Sequence, residues 1–210
     1  MSNALSPHDF TMLDVAVRRV SQFDISHAKS IWNVSTIATK RRLAKLERRG
    51  LVKSRNVLAS LSPLITKPLC HWAPNTPLPH AGQVSYAART RWKSLPVEIR
   101  RVYYATNLGR GLLGRAAISP PKDIQATHDL GLSATFVEYL KRWPKLTKAS
   151  WLNESEYAMH RGRHVKVEDA VLSRNGCVLQ MIDFAGAYRP DRVQDLLDHA
   201  HQYQTPIAIY

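Results

Sequence analysis

The chain has 210 residues, with 30 Lys and Arg against 16 Asp and Glu and a formal net charge of +14. That length holds one large or two small domains with real cores, and the charge calls for a polyanionic partner. No apolar run approaches the about 18 residues of a membrane helix and no signal-peptide pattern opens the chain, so nothing argues for membrane or export, and the spacing of Cys70 and Cys177 argues against a zinc site on this pair. Both cysteines read as reduced core thiols of a cytoplasmic protein.

Ser6-Pro7 reads as an N-cap followed by proline at the first helical position, and Phe10, Leu13, Val17 and Val20 repeat at helical spacing. Asp24 caps a second short helix with Ile25, Ala28 and Trp32 on one side, and Asn33 lies in the turn that follows. The densest positive charge comes next, in NVSTIATKRRLAKLERRGLVKSR. Ser35 is its N-cap and Gly50 its stop, so the spacing predicts one helix between them. At about 100° per residue Thr39, Leu43 and Leu46 share the packed side. Thr36, Ile37, Lys40, Arg41, Arg42, Lys45 and Arg48 are left to face a ligand. Leu51–Arg55 and Leu69–Trp72 read as two short strands, a wing that adds Lys53 and Arg55 to the set. Helix, helix, turn, helix, wing is the order of a winged helix-turn-helix, with double-stranded DNA as partner.

The expected division is 1–76 for this DNA-binding domain, 77–121 for a basic connector and 122–210 for a second domain, in an α+β chain. The connector holds a helical piece, SYAARTRWK, whose Arg89, Arg91 and Lys93 are spaced to line a surface. A short strand at Val102-Tyr103-Tyr104 and a helical turn from Asn107 follow. The Gly109 and Gly111 pair lacks the strand, lysine and hydroxyl context of a phosphate loop. After Ser119-Pro120-Pro121 a helix is expected to bury Leu132, Phe136 and Leu140. Charge is uneven: residues 1–75 and 76–150 each hold 12 basic and 4 acidic residues, whereas 151–210 hold 6 and 8. The last third therefore reads as a different kind of module.

In that third, His164–Ser173 and Cys177–Ala185 read as a β-hairpin around Arg174-Asn175-Gly176. Matching of the apolar residues selects a three-residue loop, with Ser173 opposite Cys177 and Val171 opposite Leu179. Asp169 then faces Met181, Asp183 faces Val167, and the two aspartates are diagonal neighbours, close enough to share a divalent cation. The alternatives are strand-end carboxylates meeting water, or pairing with Arg161, Arg163 or Arg189. Pro190-Asp191 opens a helix with Val193, Leu196, Leu197 and Ala200 inward, and Pro206–Tyr210 is a last strand.

RRLAKLERRGLV, VYYATNLGRGLL, THDLGLSATFVEYL, EDAVL and QMIDFAGAY, in that order, resemble the plasmid replication-relaxation family, which is related to a class of conjugative relaxases with a PD-(D/E)XK, restriction-endonuclease-like fold. The resemblance implies metal ligation by Asp169 and Asp183 with Glu154 or Glu156, a site role for His128, and magnesium or manganese as cofactor if the site is active. It also implies a nucleoid- or plasmid-associated protein with relaxosome or replication partners and a homodimeric assembly. Two departures stand out: Ala185 occupies the position of the family's lysine, and Glu168 replaces its proline. Arg189 could supply positive charge but is a poor base. A DNA-binding protein of a mobile element with a degenerate nuclease-like domain is therefore preferred to a metal-dependent nicking relaxase or endonuclease.

Overall fold

The computed structural model describes residues 5–60, 67–161 and 168–210, without the side chains of residues 149 and 159–161. The fold is mixed α and β, and the chain divides into two compact units: residues 1–60 with 97–137, and residues 61–96 with 138–210. This division differs from the three successive segments expected from the sequence. No helix among the described residues is long and apolar enough to cross a membrane.

The first unit begins with α1 (Pro7–Asp14), where the Ser6 hydroxyl and the Asp9 carboxylate each accept from the other's backbone N–H. It continues as a π-helical segment, Val15–Arg19, whose wider turn brings Val15, Ala16 and Val17 all inward. The buried arc of α1 is centred on Asp9, Met12 and Leu13, which leaves Phe10, expected inward, at its edge and 44% exposed. Helix α2 (Ile25–Trp32) is capped by Asp24, which accepts from the Ser26 and His27 amides, and ends at Asn33 with φ of 51°.

Helix α3 (Thr36–Arg48) has the cap, stop and packed face expected of it. Ser35 accepts from the Ala38 N–H, and Thr39, Leu43 and Leu46 are fully buried. At its end the Gly50 N–H bonds the Glu47 carbonyl at 2.8 Å and the Leu51 N–H bonds the Leu46 carbonyl at 3.1 Å. This Schellman arrangement requires the positive φ of 67° found at Gly50.

Strand β1 (Val52–Ser60) does not pair with Leu69–Trp72. The latter region forms β2 (Cys70–Trp72) in the other unit, and β1 instead pairs antiparallel along its whole length with β3 (Val97–Ala105), from Val52 opposite Ala105 to Ser60 opposite Val97. The partner lies beyond an intervening segment, and that segment supplies β2 and α4 (Ala81–Ser94) to the second unit. Helix α5 (Asn107–Leu112) packs so closely on the chain after α3 that a Cβ at Gly109 would collide with the Leu51 carbonyl oxygen. Helix α6 (Ala126–Arg142) buries Leu132 and Phe136 and half-buries Leu140.

The second unit also contains α7 (Pro144–Ser150), β4 (Trp151–Asn153), α8 (Glu154–Arg161), β5 (Ala170–Arg174), β6 (Cys177–Asp183), α9 (Pro190–Gln202) and β7 (Ile207–Ile209). Its sheet runs β2-β7-β6-β5-β4; β7 lies parallel to β6 because α9 carries the chain back, and the other neighbours are antiparallel. Val193, Leu196, Leu197 and Ala200 of α9 pack, as their spacing predicts, with Trp72 and Ile207 in the core. The first part of the expected strand His164–Ser173, through residue 167, lies outside the described residues, as do Arg163 and the side chain of Arg161.

The hairpin register corrects the expectation. Asn175-Gly176 is a two-residue turn with Arg174 opposite Cys177, and a bulge follows between Leu172 and Ser173, beyond which Leu172 faces Gln180 and Val171 faces Met181. The turn alone would put the apolar residues on the wrong faces, and the extra residue of the bulge restores the match. Beyond the bulge odd positions still face odd ones, but each partner lies two residues from the expected one. Cys70 is buried, whereas Cys177 sits exposed beside the turn and is not a core thiol.

Candidate functional site

The residues proposed for a ligand-facing side of α3 fall into two groups. Thr36, Ile37, Lys40, Arg41 and Arg48 are exposed, Ile37 at 82%. Lys53 is exposed on β1. Lys40, Arg41 and Lys53 have no ion pair or side-chain hydrogen bond among the described residues, and Arg48 reaches only the Ala44 carbonyl of its own helix, at 3.4 Å.

The other three are half-buried and tied to partners within the unit. Lys45 Nζ lies 2.8 Å from the Asp9 carboxylate, which is itself only 1% exposed. Burial alone would raise the Asp9 carboxyl, but hydrogen bonds from Lys45 and Ser6 outweigh it and hold the group below the usual carboxylate range. Arg42 lies over the Trp32 ring at 5.6 Å. Arg55 stacks over Tyr104 at 5.3 Å, pairs with Asp123 at 2.9 Å and donates to the Pro121 carbonyl. These three cations brace the unit, which the sequence could not show because their partners are distant in the chain. Arg91, expected on a basic surface, is likewise turned inward: it donates to the Ala185 carbonyl at 2.8 Å and lies over Phe184 at 4.7 Å.

In the second unit Asp169 and Asp183 do share a side of the hairpin. One step beyond the pairing of Ala170 with Ile182, the register sets them opposite each other rather than diagonally. Asp169 Oδ2 accepts from the Phe184 N–H at 2.7 Å, and the Asp169 carbonyl accepts from the Glu154 N–H at 3.0 Å. Asp183 is fully buried near Tyr188, with Arg192 at 3.9 Å. Burial, together with the two carboxylates, pushes the Tyr188 phenol far above its ordinary value, so it stays protonated. Arg192 also lies over the Tyr188 ring at 5.6 Å. Arg189, the cation expected here, is exposed and pairs with Asp191 instead.

No family model matches the chain, and neither a curated protein nor a solved structure is found to be similar to it. What its surfaces do rests on their own chemistry.

His128 lies on the part of α6 that belongs to the first unit, 3.4 Å from Asp129, whereas Asp169 and Asp183 belong to the second. The Glu154 side chain is exposed at the start of α8, and Glu156 is buried with its amide on Asn153. Among the described residues no group of three His, Cys, Asp or Glu side chains is arranged to hold a metal. Glu168 is buried and lies 3.2 Å from His199 of α9. Sequence reasoning passed over Tyr188, Arg192 and His199. The one signal for them was position: Tyr188 and Arg192 follow Asp183 by less than three helical turns' worth of chain, around the start of α9.

Proposed function

We propose that this protein binds double-stranded DNA through a winged helix-turn-helix, with α3 as recognition helix and the β1–β3 ribbon as wing, and that it serves the replication or mobilisation of a mobile element. The observation that carries this reading is the division of α3. Thr39, Leu43 and Leu46 anchor one side, while Thr36, Ile37, Lys40, Arg41 and Arg48 stand outward on the other. A rigid helix with short polar and apolar side chains near its start and unpaired cations along it suits a major groove. The first unit holds 16 basic and 7 acidic residues, which favours phosphate contact. The mobile-element setting rests on the family resemblance.

Footprinting on the protein's own upstream and origin DNA, with Arg41→Ala for comparison, tests this reading. The wild type should protect a discrete site, and Arg41→Ala should bind it about 1–3 kcal/mol more weakly. Absence of any protected site, or equal binding by the variant, would remove the assignment.

The second unit fits a nuclease-like domain in its order of strand, hairpin, helix and strand, with both aspartates at the hairpin's open end. The side chains favour a structural use of that order. Asp169 is engaged by the Phe184 N–H and Asp183 by Arg192, and a magnesium or manganese site needs oxygen ligands not already opposed by a cation. Ala185 offers no group to orient or deprotonate water. Supercoiled plasmid incubated with magnesium or manganese should stay intact with wild type and Asp183→Ala alike; nicking that Asp183→Ala abolishes would establish the enzymatic reading instead.

A further inference from the structure

A second charged surface lies on the second unit, at the junction of α6 and α7, and none of its residues belongs to the proposed helix-turn-helix. Lys141, Arg142, Trp143, Lys145 and Lys148 are all exposed. Lys141 pairs with Glu138 at 2.7 Å, and the other three cations have no ion pair among the described residues. The end of α6 explains part of this, because cations there meet the negative end of the helix dipole. It does not explain Lys145, which stands in the first turn of α7, where the dipole repels a cation, and one turn before Lys148. Like charges so placed cost stability unless a polyanion offsets them.

Trp143 gives the surface its second character. Its N–H bonds the Tyr139 carbonyl at 2.8 Å and its carbonyl accepts from the Thr147 N–H at 2.9 Å, so its backbone is fixed to both helices. Its ring, 44% exposed, is the outermost of a chain of rings that runs into the core: Tyr139 lies 5.3 Å from it, and Tyr139 in turn contacts Trp151 at 5.4 Å and Tyr210 at 6.1 Å. Tyr139 is itself locked by a hydrogen bond to Gln180 at 3.1 Å. The Arg142 guanidinium, 5.3 Å from the Trp143 centroid, demonstrates that a planar group reaches the ring's face. A preorganised indole among unpaired cations is the chemistry of base stacking with phosphate neutralisation, and duplex DNA keeps its base faces out of reach.

We propose that the α6–α7 junction binds single-stranded nucleic acid, with Trp143 as the stacking platform and Arg142, Lys145 and Lys148 on the phosphates. The probe is a fluorescein-labelled oligo(dT), measured by anisotropy beside a mixed-sequence duplex of the same length. Trp143→Ala should weaken oligo(dT) binding at least fivefold and change duplex binding less than twofold, with Trp143→Phe recovering part of the loss. The double variant Lys145→Gln/Lys148→Gln replaces exposed side chains only, so it reports even if Trp143→Ala fails to fold. It should reduce the salt slope of oligo(dT) binding by about 1.4, about 0.7 for each single-strand phosphate contact. Arg41→Ala should leave oligo(dT) affinity intact, so that failure of the duplex reading and failure of this one are told apart. Unchanged oligo(dT) binding in the Trp143 and lysine variants, or losses shared equally by the duplex, would overturn the proposal.

Discussion

On the outer side of α3 the charged side chains end in solvent, whereas around the β5–β6 hairpin they end on one another. Lys40 and Arg41 meet no described partner, while Asp183 meets Tyr188 and Arg192, and Glu168 meets His199. The difference follows from burial. A cation in water costs little and waits for an anion, but a carboxylate withdrawn from water has to be neutralised by its neighbours. Charge held in pairs serves the architecture, and charge left outward is available to a ligand. Lys45 and Arg55 show that the distinction cuts through the basic stretch itself, since both are drawn into pairs with Asp9 and Asp123.

The largest effect should come from the anchored side of α3. Leu46→Ala deletes a fully buried side chain and should cost about 2–5 kcal/mol in denaturant unfolding; a cost under 1 kcal/mol would mean that this face is not what holds the helix. Next in size, Asp183→Ala leaves the Arg192 cation without its buried carboxylate partner. It should lower stability by about 1–3 kcal/mol while duplex affinity stays unchanged. A stable variant that binds DNA more weakly would erase the contrast between the two regions.

Acid should act through the paired charges as well. Burial raises the Asp24 carboxyl, but the His27 ring, the Ser26 hydroxyl and the His27 amide lower it by more, and the net displacement is well below the usual range. A depressed carboxylate gives stability that is complete above the unfolded value of about 3.9 and is lost as pH falls toward the folded one. Thermal unfolding temperatures should therefore drop below about pH 4, and Asp24→Asn should flatten that drop; an equally steep profile in the variant would assign the acid sensitivity elsewhere. The smallest effect separates two lysines. Lys53→Ala should reduce the salt slope of duplex binding by about 1, whereas Lys45→Ala should act on stability through Asp9. The reverse pattern would reassign both.

Much of this was legible in the sequence where the determinants are local. Ser6, Asp24, Ser35 and Gly50 mark helix ends by chemistry that acts within a few residues, and the spacing of Val193, Leu196, Leu197 and Ala200 marks a buried face. Pairing of β1 with β3 was not legible, because it joins strands separated by a segment that folds into the other unit. The hairpin shows a subtler limit. A three-residue loop and a two-residue turn with a bulge preserve the same alternation of faces, so apolar matching placed Asp169 and Asp183 on one side without fixing their partners. For the basic stretch, residue identity gave the charge but not the partner, and only the fold separates Arg41 from Arg55.

The most direct measurement is duplex DNA binding by a Lys40→Ala/Arg41→Ala/Arg48→Ala variant, followed by anisotropy across a salt series together with its unfolding curve. All three side chains are exposed, so the variant should unfold like the wild type. Its affinity should fall at least tenfold and its salt slope by about 2–3, close to one for each phosphate left without its cation. Wild-type affinity and slope in a folded variant would contradict α3 as the DNA-binding element.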